Sequence, residues 1–270
     1  MGRALDRIAL RCQFEQSTCQ KAGRSVIEWA FLDVGNVLLD EDPLTCRVFR
    51  IHVEAVRRVG PDLSFGQILA EREAAALGGS RWPLFEVVSR YLDERGVAAA
   101  WDEAERAVRA DYGRLSPPII GAKAFLDALG GRFRLGLVAN QGAECRAWLD
   151  RLGWLGRFEV VALSEEEGSY KPDPRLFRLA LDRAGVAPAS ALMVGDRPDN
   201  DIEPARSLGM ATAWVRWPRR AAKGWDPTDA EDSAYLASLD RVVASKPGPE
   251  VEPTVAADDL GSLARAILAL

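Results

Sequence analysis

Phe31-Leu32-Asp33-Val34-Gly35-Asn36-Val37 decides the fold, because three further segments follow it in a fixed order. They are Leu135-Gly136-Leu137-Val138-Ala139-Asn140, Tyr170-Lys171-Pro172-Asp173-Pro174 and Met193-Val194-Gly195-Asp196-Arg197-Pro198-Asp199-Asn200-Asp201. Three of the four place a carboxylate, a lysine or a carboxylate cluster directly after an apolar run. In an open α/β sheet that is the carboxyl edge of the strands, where ligands bind. One Asp, one Lys and a second set of Asp at that edge describe an oxyanion site with a divalent cation.

Around these segments, helical and strand patterns alternate. Val26 to Leu32 is a short run of strand formers. Helix follows over 122–129, strand over 133–139, helix over 144–152 and strand over 160–163. Helix then spans 174–184, strand 191–194, helix 202–208 and strand 211–215. This alternation predicts a doubly wound parallel sheet, Rossmann-like, with helices on both faces. Between the first two strands, residues 43–116 read as four helices, over 43–60, 64–77, 81–95 and 98–115. They form an inserted helical bundle. Residues 217–238 read as irregular, 239–243 as a last strand, 246–255 as a loop and 259–270 as a closing helix. Residues 1–25 match no pattern; a disordered leader, an extra helix and a start-site artefact all stay open.

Composition narrows the chemistry. The 270 residues fit one large domain or a core with an insertion, and 48% hydrophobic content suffices for a packed core. A net charge of -5 argues against a nucleic-acid surface. No apolar run reaches membrane-spanning length, and the polar N-terminus lacks a secretory signal, so no membrane and a cytoplasmic setting are expected. Cys12, Cys19, Cys46 and Cys145 have no zinc-like spacing and read as free thiols. His52 is the sole histidine, which removes any histidine-rich metal site. It lies in a helical stretch and reads as a packing or surface residue. Acid–base and metal chemistry then fall to carboxylates.

Asp33 at a strand end has the chemistry to attack phosphorus, or simply to cap a turn. Lys171 precedes a proline, which holds it extended. It is one of only five lysines among 35 basic residues, so a chance surface lysine is a weaker reading. Asp196 and Asp201 suit Mg²⁺, which takes oxygen ligands from one or two carboxylates plus phosphate and water. Asp201 and Asp199 also fit a helix N-cap with acids in the first turn. Asp40, Glu41 and Asp42 read first as a solvated turn, with a substitute acid–base group among them as the second reading. Arg47, Arg50 and Arg81 read as a solvated helix face, and Trp82 and Trp101 as bundle core.

The four segments in this order resemble the haloacid dehalogenase-like (HAD) hydrolase superfamily, over about residues 26–215. The resemblance implies a HAD core over 26–42 and 117–270 and a helical cap over 43–116 that closes on small soluble substrates. It implies a Mg²⁺-dependent phosphatase of a small phosphorylated metabolite. Asp33 is then the nucleophile and forms an aspartyl phosphate. Lys171 neutralises the phosphoryl oxygens. Gly35, Asn36, Ala139 and Asn140 bind phosphate. Asp33, the Gly35 carbonyl, Asp196 and Asp201 form the metal site, with Asp201 orienting a water or Lys171.

Two positions depart from the family pattern. Gly35 stands where a second Asp usually protonates the leaving oxygen, a role typically worth roughly 10²–10⁴-fold. Ala139 stands where a hydroxyl usually meets the phosphate, a bond worth about 1.5–3 kcal/mol. The Asp-x-Gly-Asn-Val variant is similar to a branch with sugar 1-phosphate phosphatases, whose leaving group needs less protonation. Two other readings stay open. One is a degenerate member that binds a phosphorylated ligand or partner without turnover. The other is a 2-haloacid dehalogenase, against which the Asp196/Asp201 pair argues.

Overall fold

The computed structural model describes residues 26–245 and 250–270. The expectation for residues 1–25 lies outside the described residues, as do Cys12, Cys19 and most of the first half of the 246–255 loop. Six strands form one parallel sheet: β1 Trp29–Leu32, β2 Arg134–Ala139, β3 Val160–Leu163, β4 Ala191–Gly195, β5 Ala211–Val215 and β6 Val255–Ala257. Their order is β3-β2-β1-β4-β5-β6, with every neighbouring pair parallel. The chain winds outward from β1 through β2 to β3, then crosses to β4. The switch point therefore lies at the carboxyl ends of β1 and β4, the usual ligand crevice of such sheets.

The helices, in chain order, are α1 Asp42–Val59, α2 Phe65–Leu77, α3 Pro83–Val88, α4 Glu94–Ala110, α5 Tyr112–Leu115 and α6 Ala122–Gly130. Then come α7 Ala143–Arg151, α8 Ser164–Glu167, α9 Pro174–Ala184, α10 Glu203–Ser207, α11 Ala230–Ser245 and α12 Leu260–Leu268. Local chemistry sets several ends. Ser64 and Gln67 make a reciprocal capping box at α2. Asp173 caps α9, which ends on Gly185 in the left-handed region at φ 63°. No helix among the described residues is long and apolar enough to cross a membrane.

Strand alternation splits the sheet's side chains between two cores. Ala30, Leu32, Leu192 and Val194 face a core built with α6, α7 and α12. Trp29, Phe31, Ala191 and Met193 face the opposite core with α9 and α10. Burial on both faces is what near-continuous apolar strands require. A third apolar cluster joins α1, α2, α3 and α4 through Phe49, Val53, Ile68, Val88 and Val97.

Several expectations are corrected. The helix expected over 81–95 is confined to Pro83–Val88 and a new helix begins at Glu94. Gly96, just past the expected end, belongs to the first turn of α4, where its N–H donates to the Asp93 side chain at 2.7 Å. The segment 239–243 is helical, and residues 230–238, read as irregular, belong to the same helix α11. The apolar residues of α11 are drawn into the third cluster: Tyr235 stacks obliquely on Phe49 at 5.4 Å, and Leu239 packs beside it. The last strand is β6 instead.

Trp82 and Trp101 are not core: they are 67% and 41% exposed. Trp82 precedes α3 at its cap and lies under the Arg81 guanidinium, and Trp101 stands edge-on to His52. His52 itself is fully buried packing, its Nδ1 2.8 Å from the Val48 carbonyl oxygen. Arg50 is no solvated residue either, since Asp229, Glu231 and Asp232 from the α11 region surround it at 2.5–2.7 Å.

Candidate active site

β1 and β4 deliver two carboxylates to the switch point. The Asp33 N–H donates to the Val194 carbonyl at 2.9 Å, which ties the end of β1 to the end of β4 just before Asp196. The Val34 N–H donates to Asp33 Oδ1 at 2.8 Å and fixes that side chain. Asp33, Asp196 and Asp201 each present a carboxylate oxygen, all within 4.8 Å of one another. Gly195 makes this approach possible, because a Cβ there would lie 2.3 Å from Asp201 Cβ.

Lys171 arrives from the loop before α9. Its side chain is fully buried, with Nζ 2.9 Å from Asp33 Oδ1 and 2.6 Å from Asp201 Oδ1. Asn140 holds the lysine's backbone on both sides of its Cα. Its Nδ2 donates to the Lys171 carbonyl at 2.9 Å, and its Oδ1 accepts from the Lys171 N–H at 2.7 Å. Asp201 is locked in turn by the Arg197 N–H, 3.0 Å from Oδ2.

The electrostatics follow from this crowding. Burial pushes the Asp33 carboxyl up to about 7, with Asp201 and Asp196 adding to the rise and Lys171 opposing it. Burial and Asp201 likewise push Asp196 up to about 6. Burial works against the Lys171 charge, but the Asp201 and Asp33 carboxylates outweigh it and raise its pKa. Three carboxylates against one ammonium leave an excess of negative charge. The Asp196 carboxylate accepts no hydrogen bond from any described residue, while its backbone carbonyl accepts from Trp214 Nε1 at 2.9 Å, and no backbone hydrogen bond among the described residues uses the Gly35 carbonyl. Free oxygen donors with surplus negative charge match the ligand preference of Mg²⁺.

Gly35 and Glu41 form a second feature. A Cβ on Gly35 would lie 2.5 Å from Glu41 Oε2, so the Glu41 carboxylate fills the volume that a side chain at 35 would need. Burial first, and the Asp33 charge second, push Glu41 up to about 7. Gln141 Nε2 donates to Glu41 Oε1, and Tyr112 OH donates to Gln141 Oε1 at 3.0 Å.

Asp40 and Asp42, expected in a solvated turn, are buried at 0% and 1% exposure. The buried Lys223 Nζ lies 2.7 Å from Asp40 Oδ1 and from Asp42 Oδ2, and 2.5 Å from Asn36 Oδ1. Arg220 adds a forked contact to Asp42, its Nη2 at 2.6 Å. Two cations from the segment after β5 thus neutralise the turn after Asp33. Asn36 adopts the left-handed region at φ 54°, which Asn tolerates, and its Trp217-bound carbonyl pins the turn further.

Of the expected site residues, Asp33, Lys171, Asp196 and Asp201 come together, with Gly35 beside them. The Asn36 side-chain oxygen accepts from Lys223, and both ends of the Asn140 amide are held by the Lys171 backbone. Ala139 is fully buried in the sheet core. Gln141, Tyr112, Arg220 and Lys223 carry no sequence motif. The scarcity of lysine that singles out Lys171 applies equally to Lys223 and was the available signal.

This sheet, switch point and carboxylate–lysine cluster define a hydrolase of the α/β class. Residues 27–209 match the family model for haloacid dehalogenase-like hydrolases, and the chain belongs to that family. It is 32% identical over 216 residues to a glyceraldehyde 3-phosphate phosphatase of Methanopyrus kandleri, covering 77% of this chain and 91% of that one. It is 41% identical over 117 residues to a phosphoserine phosphatase of Thermus thermophilus, covering 43% of this chain but only 45% of that relative. The fold is similar to the magnesium-bound HAD-hydrolase YfnB of Bacillus subtilis, with a TM-score of 0.62 and 19% identity over 91% of this chain and 100% of that one.

Proposed function

We propose that this chain hydrolyses a phosphate monoester of a small metabolite, with Asp33 as nucleophile. The observation that carries this reading is the placement of Lys171 Nζ between Asp33 and Asp201 at 2.9 and 2.6 Å. Phosphoryl transfer needs positioning and charge neutralisation more than covalent assistance. Asp33 attacks phosphorus and takes up the phosphoryl group as an aspartyl phosphate, which water then hydrolyses. Lys171 neutralises the equatorial oxygens and keeps Asp33 aimed. Asp201 holds Lys171, and Asn140 fixes the loop that carries it.

Asp33, Asp196 and the Gly35 carbonyl would hold Mg²⁺, with Asp201 behind them. The ion would supply charge stabilisation to the transferring phosphoryl group. Residues 43–116, which carry the α1–α4 cluster, serve as the cap that shields the reaction from water. The names of the two phosphatase relatives support a small phosphorylated substrate. The carboxylate cluster favours this chemistry over metal-free attack on carbon by a dehalogenase. Cys46 and Cys145, both buried free thiols, fit a reducing cytoplasmic setting.

The test is hydrolysis of p-nitrophenyl phosphate with and without Mg²⁺, beside Asp33→Asn. Metal-dependent turnover that disappears in Asp33→Asn supports the reading. No turnover by folded wild-type protein rejects it in favour of a ligand-binding role without catalysis.

A further inference from the structure

We infer that Glu41 is the general acid and base of this site, filling from the turn the place left by Gly35. The inference rests on the phosphatase reading above. Breaking the ester of an ordinary alcohol expels a strongly basic oxygen, which needs a proton as the bond breaks. The described residues offer few donors. His52 sits in the helical cluster with its ring against Trp101 and its Nδ1 at the Val48 carbonyl. Asp40 and Asp42 are bound to Lys223 and Arg220. Asp201 is bound to Lys171 and the Arg197 N–H.

Glu41 is differently placed. Its carboxylate lies against the chain two residues beyond Asp33, with Oε2 2.5 Å and Oε1 2.8 Å from the position of a Gly35 Cβ. Gln141 Nε2 donates to Oε1, and Gln141 is itself oriented by Tyr112. Oε2, the oxygen nearest Gly35, accepts no hydrogen bond from a described residue. The Glu41 N–H donates to Asn36 Oδ1, which ties the same turn to the Lys223 cluster. Glycine at 35 is thus a requirement of this arrangement, since any side chain there would displace the Glu41 carboxylate.

The steps balance as follows. An Asp33 oxygen bonds to phosphorus while the ester P–O bond breaks, and the leaving oxygen takes the bond pair together with the proton of Glu41 Oε2. The alcohol departs. The Glu41 carboxylate then removes a proton from water, whose oxygen bonds to phosphorus. The P–O bond to Asp33 breaks with its electron pair returning to Asp33, inorganic phosphate leaves, and Glu41 is again protonated.

The experiment compares first-turnover release of the leaving group from glycerol 2-phosphate and from p-nitrophenyl phosphate, in wild type and Glu41→Gln with Mg²⁺. Nitrophenolate departs without a proton. Glu41→Gln is expected to slow glycerol release roughly 10²–10⁴-fold and to leave the nitrophenolate burst within about threefold, followed by a slow steady state. The surviving burst reports that the variant is folded. Glu41→Ala is expected to lose glycerol release in the same way, and Gly35→Asp added to it to regain a large part. Equal loss on both esters, or no loss on either, overturns the role of Glu41. Absence of turnover in the wild type instead overturns the phosphatase reading itself.

Discussion

Lys223 Nζ lies 2.7 Å from Asp40 Oδ1, joining the segment after β5 to the turn after Asp33 inside the protein. Both side chains are shielded from water, so neither charge has a substitute partner outside the cluster. Lys223→Met removes the ammonium and leaves Asp40 and Asp42 with less than their full complement. Breaking a buried pair from one side costs about 3–5 kcal/mol. Urea unfolding of the variant is expected to show a loss of that size with an unchanged m-value. A loss below about 1 kcal/mol would put the pair in the class of surface ion pairs.

Asp42 gives this cluster a pH signature. Burial disfavours its charge, but the Arg220 and Lys223 cations outweigh burial and hold its pKa below the ordinary 3.8. A depressed carboxylate adds stability that is fully present above the unfolded pKa and is lost as pH falls through the lower folded value. The stability gap between wild type and Asp42→Asn should therefore be constant from pH 7 to about pH 5 and shrink below about pH 4. A gap that stays flat down to pH 3 would assign the effect to packing.

Gly195→Ala tests the close approach of β4 to the Asp201 side chain. The new methyl would meet Asp201 Cβ at 2.3 Å, so the aspartate must shift and Lys171 with it. Misplacing a positioning group by about 1 Å can cost 10²-fold. A loss of that order in kcat on p-nitrophenyl phosphate, with the folded far-ultraviolet dichroism kept, is the expected result. Full activity would show that Asp201 need not sit where it does.

The carboxylate cluster predicts a metal response that does not depend on turnover. A ligand that binds only the folded state stabilises it by about 2.7 kcal/mol at a hundredfold excess over Kd. Mg²⁺ is expected to raise the Tm of the wild type and to leave Asp196→Asn unmoved. An equal rise in both would take Asp196 out of the binding set. Without metal, Asp196→Asn should be neutral or stabilising, since it relieves repulsion among Asp33, Asp196 and Asp201.

By itself the sequence determined the first five strands of the sheet and the four loops at its edge. Apolar runs of strand length, each followed by Asp33, Asn140 or Asp196, and the helix ends at Gly60, Gly78 and Gly185 are local signals that packing did not overturn. The departures at Gly35 and Ala139 were equally legible, because they are single residues in a readable motif. Only the tertiary structure decided what surrounds those residues. A run such as Asp40-Glu41-Asp42 looks solvated until Lys223 and Arg220 are brought to it from the far side of β5. Leu239 to Val243 looks like a strand until Tyr235 and its helix find the apolar face of α1 and α2. The cause is the same in both cases: burial of a charge or a helix face depends on partners remote in the chain, and local pattern carries no record of them.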